Sequence, residues 1–283
     1  MSSHWEFILE TKVKPDLIKP IFIEGLPGIG NVGKIAVDFL IEELKAKKLG
    51  SFFSYKFPHS VFVNENNLIE MPKIELYYKK FSSSTKNNKK RPNSKTQELK
   101  RDLLILTGDI QPIDEESCYT FCEEVLKLVQ LYSCTEIITT GGIGLPSIPD
   151  PQRVFCTAND QKLFEAYVKK GMGVEKEIFG VVGPIVGVSG VLLGLGKKRG
   201  VKGVALLAET FGHPLHLGIK GAKEILRVIE HKFNYGINLK RMTKEIIEVE
   251  QELIQKTKEW AAESLAGAPP GAKLKDKSVS YIG

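Results

Sequence analysis

Cysteine is scarce in these 283 residues, and Cys118, Cys122, Cys134 and Cys156 form no C-x-x-C pair. Four thiols at such spacings neither staple a small secreted scaffold nor build a zinc site, and they suit a reducing cytoplasm. The opening Met-Ser-Ser-His-Trp-Glu-Phe lacks the basic region and apolar run of a secretory signal, so the cytoplasm is the expected location. No G-x-S-x-G string is present to raise a serine on a nucleophile elbow, and Ser189 in Gly187-Val-Ser-Gly190 lacks the five-residue form. One long stretch without charge exists, Ile178–Gly196, and its nineteen residues could in length span a bilayer. Six glycines, Pro184, Ser189 and its place just before a strand make it a strand, a glycine-rich turn and a packed helix instead, with no membrane span.

What is present is an ordinary soluble balance, 42% hydrophobic and 26% charged, with a net charge of +6. The positive charge is local. Residues 79–101 hold nine Lys or Arg against Glu98, a charge of +8 that leaves the remaining chain at −2. Beyond Phe81 the segment is polar, interrupted by Pro92 and without aromatics between its charges, so it reads as a disordered surface insertion between two strands. A nucleic-acid groove would interleave aromatic platforms, so nucleic acid is not the expected partner.

Apolar runs alternate with helical patterns along the first 210 residues. Pro20–Glu24, Ser51–Lys56, Val61–Val63, Lys73–Tyr78, Asp102–Thr107, Glu136–Thr140, Val154–Thr157 and Gly203–Ala208 read as strands. Helices are expected over Lys34–Lys45, after an Asp114 cap, and over Asn159–Lys170, with capping accounting for Asp160 and Asp109. Such alternation predicts a three-layer α/β/α domain around a parallel-rich sheet over residues 1–217. From 218 to 265 only helical patterns remain. Asn238 caps a seam of Leu239, Met242, Ile246, Val249, Leu253 and Trp260 at heptad spacing, which serves either its own core or a partner subunit. Residues 266–283 break the helix with Ala-Gly-Ala-Pro-Pro-Gly-Ala and run as a flexible tail to Val279-Ser-Tyr281-Ile282-Gly283, a plausible docking peptide.

Gly28, Gly30 and Gly33 satisfy G-x-G-x-x-G between a strand and a helix, but the ribose-binding acid some 20 residues on is missing. Read as a phosphate loop through Lys34, the string has Ile35 where a hydroxyl should hold magnesium. A tight turn with closely packed glycines explains it better, with an anion on the helix N-terminus beside Lys34 as the alternative. His213-Pro-Leu-His216, four residues after Glu209, reads as a loop rather than a metal site, and Cys118 and Cys122 as core thiols. No catalytic set and no cofactor are expected.

Five strings in order resemble the archaeal branch of the proteasome-assembly-chaperone family: Glu24-Gly-Leu-Pro-Gly-Ile-Gly-Asn-Val-Gly-Lys, Thr140-Gly-Gly-Ile-Gly, Val154-Phe-Cys-Thr-Ala-Asn-Asp, Gly183-Pro-Ile-Val-Gly and Leu206-Leu-Ala-Glu-Thr. The resemblance covers about residues 15–262. It implies a fold related to nucleoside phosphorylases with a C-terminal helical extension. It also implies a non-enzymatic homo-oligomer, tetramers included, that binds proteasome α subunits or the 20S core particle. Family tails end in hydrophobic–Tyr–any. Here Tyr281 and Ile282 stand one position out of register, which leaves Tyr281-Ile282-Gly283 a shifted pose in the same groove. Some members of the group carry ATP-grasp labels, so the enzymatic alternative is a nucleotide-dependent ligase or phosphorylase-like enzyme using Gly28–Lys34.

Overall fold

Long apolar runs such as Leu103-Leu-Ile-Leu106 have no polar face to show to water, and they become strands covered on both sides. A computed structural model describes residues 5–81, 100–147, 149–178, 183–213 and 216–244. The strands among them are β1 (Glu6–Leu9), β2 (Ile21–Gly25), β3 (Lys47–Phe53), β4 (Phe62–Val63), β5 (Ile69–Glu70), β6 (Ile74–Lys79), β7 (Leu103–Gly108), β8 (Glu136–Leu145), β9 (Val154–Ala158) and β10 (Gly203–Phe211). The helices are α1 (Val32–Leu44), α2 (Glu115–Leu131), α3 (Gln161–Tyr167), α4 (Val188–Lys198) and α5 (Ile219–Phe233). Eight strands form one sheet in the order β1-β3-β6-β7-β2-β8-β10-β9, and β4 with β5 makes a separate hairpin. The central four, β7-β2-β8-β10, are parallel. Antiparallel strands flank them, so parallel pairing is confined to the middle of a mixed sheet.

Alternation along the central strands assigns the two helical layers. Phe22, Leu104, Leu106, Ile137, Ala205 and Leu207 share one apolar cluster with Phe121 and Val125 of α2 and Leu192 of α4. Their chain neighbours Ile21, Ile23, Leu103, Ile105, Ile138 and Leu206 are equally buried, and the pleat turns them to the opposite face. There α1 and α5 pack on each other and on the sheet. This is the three-layer α/β/α arrangement that the alternation predicts.

Local chemistry shifts several boundaries. Ser54–Lys56 turns away because the Ser54 hydroxyl accepts the Lys56 N–H at 3.0 Å, so β3 ends at Phe53. β8 does not end at Gly141-Gly142. It runs on to Leu145, paired residue for residue with β10 up to Phe211. Asp114 and Asp160 cap α2 and α3 by accepting N–H groups three residues on. Asp109 caps no helix; its Oδ2 accepts the Lys73 N–H at 3.2 Å. β1, a short edge strand with little burial, is an element the sequence pattern does not announce.

The basic insertion joins the antiparallel neighbours β6 and β7, and residues 82–99 lie outside the described ones. At its base the buried Asp102 carboxylate accepts the Phe81 N–H at 2.7 Å and the Ile18 N–H at 2.8 Å. Val61, Phe62, Val63, Leu68, Ile69 and Met71 on and around the β4–β5 hairpin are exposed. α5 packs on α1, β10 and β9, so the first compact unit runs to Leu239 and the second spans Lys240–Gly283. Residues 239–244 are helical, which puts Asn238 at the N-cap position. Among the described residues no helix is long and apolar enough to cross a membrane.

Candidate functional site

The glycine-rich turn leads from β2 into α1, and its geometry is that of close packing. Gly30 sits at φ +60°, a conformation that favours glycine. A Cβ on Gly33 would lie 2.3 Å from the Thr140 carbonyl oxygen, so the helix presses backbone to backbone on β8. Lys34 does not return to the turn. Its Nζ stands 2.9 Å from Asp38 and 3.8 Å from Asp109, above a depression of about 380 Å³ on the other side of the helix. The anion reading therefore finds its lysine already engaged with two carboxylates. Gly28 has open space around its Cβ position and faces a different hollow.

That hollow is a cleft of about 900 Å³ at the carboxyl ends of β7, β2, β8 and β10. The loops after β2 and β7 lead to helices in opposite layers there, which is where open α/β sheets hold their ligands. Gln111 ties its walls together. Its Nε2 donates to the Pro27 carbonyl at 2.7 Å and its Oε1 accepts the Val188 N–H at the start of α4 at 3.4 Å. Beneath lies Glu24, fully buried at the end of β2. Its Oε1 accepts the Leu26 N–H at 3.1 Å and its Oε2 accepts the Ser189 hydroxyl at 2.9 Å. Thr140 Oγ1 donates to the Glu24 carbonyl at 2.8 Å. No ion pair to Glu24 is present among the described residues. Burial pushes its carboxyl up to about 7 against the opposing hydrogen bonds from Ser189 and Leu26. Cys118 lines the cleft and Cys122 lies behind it, fully buried, with its thiol pushed far up first by the hydrogen bond to Cys118 and then by burial.

Glu24 and Ser189 are the functional candidates that sequence patterns pass over. The available signal is a carboxylate ending an otherwise apolar strand, Ile-Phe-Ile-Glu. In the His213–His216 loop both rings pack on Phe211, and among the described residues no group of three or more His, Cys, Asp or Glu could hold a metal ion. Glu209 is taken up by Arg153, whose Nε lies 3.1 Å from Oε1 and 3.0 Å from Oε2. The Arg153 hydrogen bonds, opposed by burial, hold the Glu209 carboxyl below its ordinary range. Arg153→Ala should cost about 1–3 kcal/mol at pH 7, since it strands a buried carboxylate. A depressed carboxylate stabilises above its unfolded value of about 4.3 and loses that contribution as pH falls through the folded value. The gap between wild type and variant in urea unfolding should therefore close below about pH 4.

Of the partner-binding candidates, Met242 is buried. Ile246, Val249, Leu253 and Trp260 of the seam, and Val279, Tyr281, Ile282 and Gly283 of the tail, lie outside the described residues.

The PAC2 family model matches residues 22–257, which take in the sheet from Phe22 of β2 onward but not β1, the helices α1–α5 and part of the C-terminal seam. The chain belongs to the PAC2 family. This agrees with the resemblance carried by the five strings. A protein of Methanocaldococcus jannaschii, MJ1210, is 27% identical over 281 residues, 98% of each chain. Among solved structures, Pyrococcus furiosus PbaB, described as an archaeal proteasome activator, is 35% identical with a TM-score of 0.76 over 90% of this chain and 99% of its own. P. furiosus PbaA, an archaeal homologue of proteasome-assembly chaperone, shares the fold at 22% identity and a TM-score of 0.69, covering 93% of this chain and 96% of its own. The PAC2 match thus takes in the strands that bound the cleft as well as part of the seam.

Proposed function

We propose that this protein is a non-enzymatic adaptor or assembly chaperone for the proteasome. In this reading it acts as a homo-oligomer that binds α subunits or the 20S core particle. The observation that carries the reading is the likeness to PbaB, close in sequence as well as fold over nearly all of both chains. The composition of the C-terminal residues supports it. Beyond the buried Met242, the heptad seam Ile246, Val249, Leu253 and Trp260 suits subunit packing, and Tyr281-Ile282-Gly283 suits docking in a groove between subunits. Two weak contacts on one chain combine through effective concentration, so neither need be tight alone.

The test mixes the full chain with 20S proteasome and with isolated α subunits at about 10–50 μM, and follows mass by light-scattering chromatography. Wild type should form a complex. Removal of Tyr281–Gly283 should weaken it by about tenfold or more. A complex that survives truncation unchanged moves the contact to the folded body, where the exposed Phe62 and Ile69 are the first residues to substitute. No complex with either partner overturns the proposal.

A further inference from the structure

The cleft holds few polar side chains, and the direction of their hydrogen bonds limits what can enter. A serine hydroxyl has one proton, and Ser189 gives its proton to Glu24 Oε2. Its remaining capacity toward the cleft, which it lines, is to accept. Glu24 Oε1 is taken by the Leu26 N–H, so the buried carboxylate reaches a ligand through Ser189. Charge points the same way. Asp114 and Glu115 line the cleft, and no Lys, Arg or His does among the described residues. Buried carboxylates ordinarily have a cationic partner, and among the described residues no ion pair to Glu24 is present. Around the mouth the chemistry is apolar. Ile113 is 75% exposed, Val186 84% and Tyr119 52%, and all three line the cleft.

We propose that the cleft is a small-molecule site for a primary amine with an apolar body, its ammonium donating to Ser189 Oγ in front of Glu24 and its body lying against Ile113, Tyr119 and Val186. The proposal does not rest on the proteasome reading, and either can fail without the other. The acid lining, the acceptor at the floor and the engagement of Lys34 elsewhere disfavour phosphates and carboxylates.

Protonation sets the polarity of the floor. The groups facing Glu24 are Ser189 on α4, the thiols of Cys118 and Cys122 on α2, and Leu106 and Thr139 in register on β7 and β8; none carries a positive charge. With Glu24 ionised, Ser189 accepts from an ammonium. With Glu24 neutral, its proton can turn to Ser189, and the serine then donates outward. Since the carboxyl titrates at about 7, amine affinity should rise about tenfold from pH 6 to pH 8.

Phenethylamine, with phenylacetate as its anionic counterpart, tests this on the full-length protein by calorimetry and thermal unfolding. A ligand of this size reaches about millimolar to micromolar Kd. Phenethylamine should bind at pH 8 and raise Tm, and phenylacetate should do neither. Glu24→Gln presents an amide N–H to Ser189 and should cut amine affinity at least about tenfold while removing its pH dependence. Ser189→Ala should do the same, and Val186→Ser at the exposed rim should weaken binding about threefold without altering Tm. No heat and no Tm shift with about 10 mM phenethylamine at pH 8 would overturn the proposal. So would equal binding of phenylacetate, a flat pH profile in wild type, or full affinity in a folded Glu24→Gln variant.

Discussion

Gly33→Ala should cost at least about 3–5 kcal/mol or prevent folding, while Gly28→Ala in the same motif should stay within about 0.5 kcal/mol of wild type. The new methyl at position 33 would meet the Thr140 carbonyl oxygen at 2.3 Å and its carbon at 2.9 Å. These are main-chain atoms of a central strand and cannot move aside as a flexible side chain would. Relief requires lifting the start of α1 from β8, and with it Val32, Ala36, Val37 and Leu40, all buried. Each such side chain carries about 1.5–3 kcal/mol of burial. At Gly28 nothing lies within 4 Å of the Cβ position, and φ is −163°, extended backbone open to any residue. Urea unfolding of the two variants tests whether packing sets the requirement for glycine at position 33. A nucleotide fingerprint asks for close helix packing at its third glycine as well, and for the nearest approach to the pyrophosphate at its second, Gly30. Equal stability losses at both positions would contradict the packing account.

Glu24→Gln should stabilise the protein by about 4 kcal/mol at pH 8 and change little at pH 4. The carboxyl titrates at about 7 in the fold and near 4.3 in the unfolded chain. Below about pH 4 it is neutral in both states, and its burial carries no charge. Between those values the unfolded chain sheds its proton while the folded one keeps it, so stability falls as pH rises. Above about pH 7 the loss is complete and levels off, at about 1.4 kcal/mol per unit of displacement. Glutamine keeps the shape, offering its oxygen to the Leu26 N–H and its amide to Ser189 Oγ. Thermal unfolding of both proteins from pH 4 to pH 8 should show curves that start together and diverge with rising pH. Parallel curves would mean the carboxylate is paired in a way the geometry does not contain. A buried carboxylate displaced this far beneath a cleft is a functional candidate.

The sheet was legible because its strands are contiguous apolar runs, and the helix starts because Asp114 and Asp160 carry their acceptors in the sequence itself. β1 was not, since an edge strand with half-exposed Phe7 and exposed Ile8 has no periodic signature. The continuation of β8 through Gly141–Gly144 was hidden because glycine usually punctuates strands. Here it admits Ile29, whose carbonyl oxygen would lie 2.3 Å from a Cβ on Gly142. The cleft floor was the least legible. Ser189 and Glu24 are 165 residues apart, and neither burial nor hydrogen-bond direction is a local property. The salt bridge from Lys34 to Asp38 is local, at four residues' spacing; its neighbour Asp109 arrives only through the sheet.

The clasp at Asp102 bears on how this fold can be rewired. β6 and β7 pair down to Lys79 opposite Leu103, and the Phe81 amide and the backbone at Ile18 are both tied to that one carboxylate. The sheet therefore meets the segment between them as a gap already closed. Lengthening such a segment costs only about 0.6 kcal/mol per doubling. The gap opens where β7 begins, at the end of the parallel strands opposite the cleft. A fluorescent reporter, an affinity tag or a new pair of chain termini placed between 82 and 98 would leave the cleft free for the binding measurements described above.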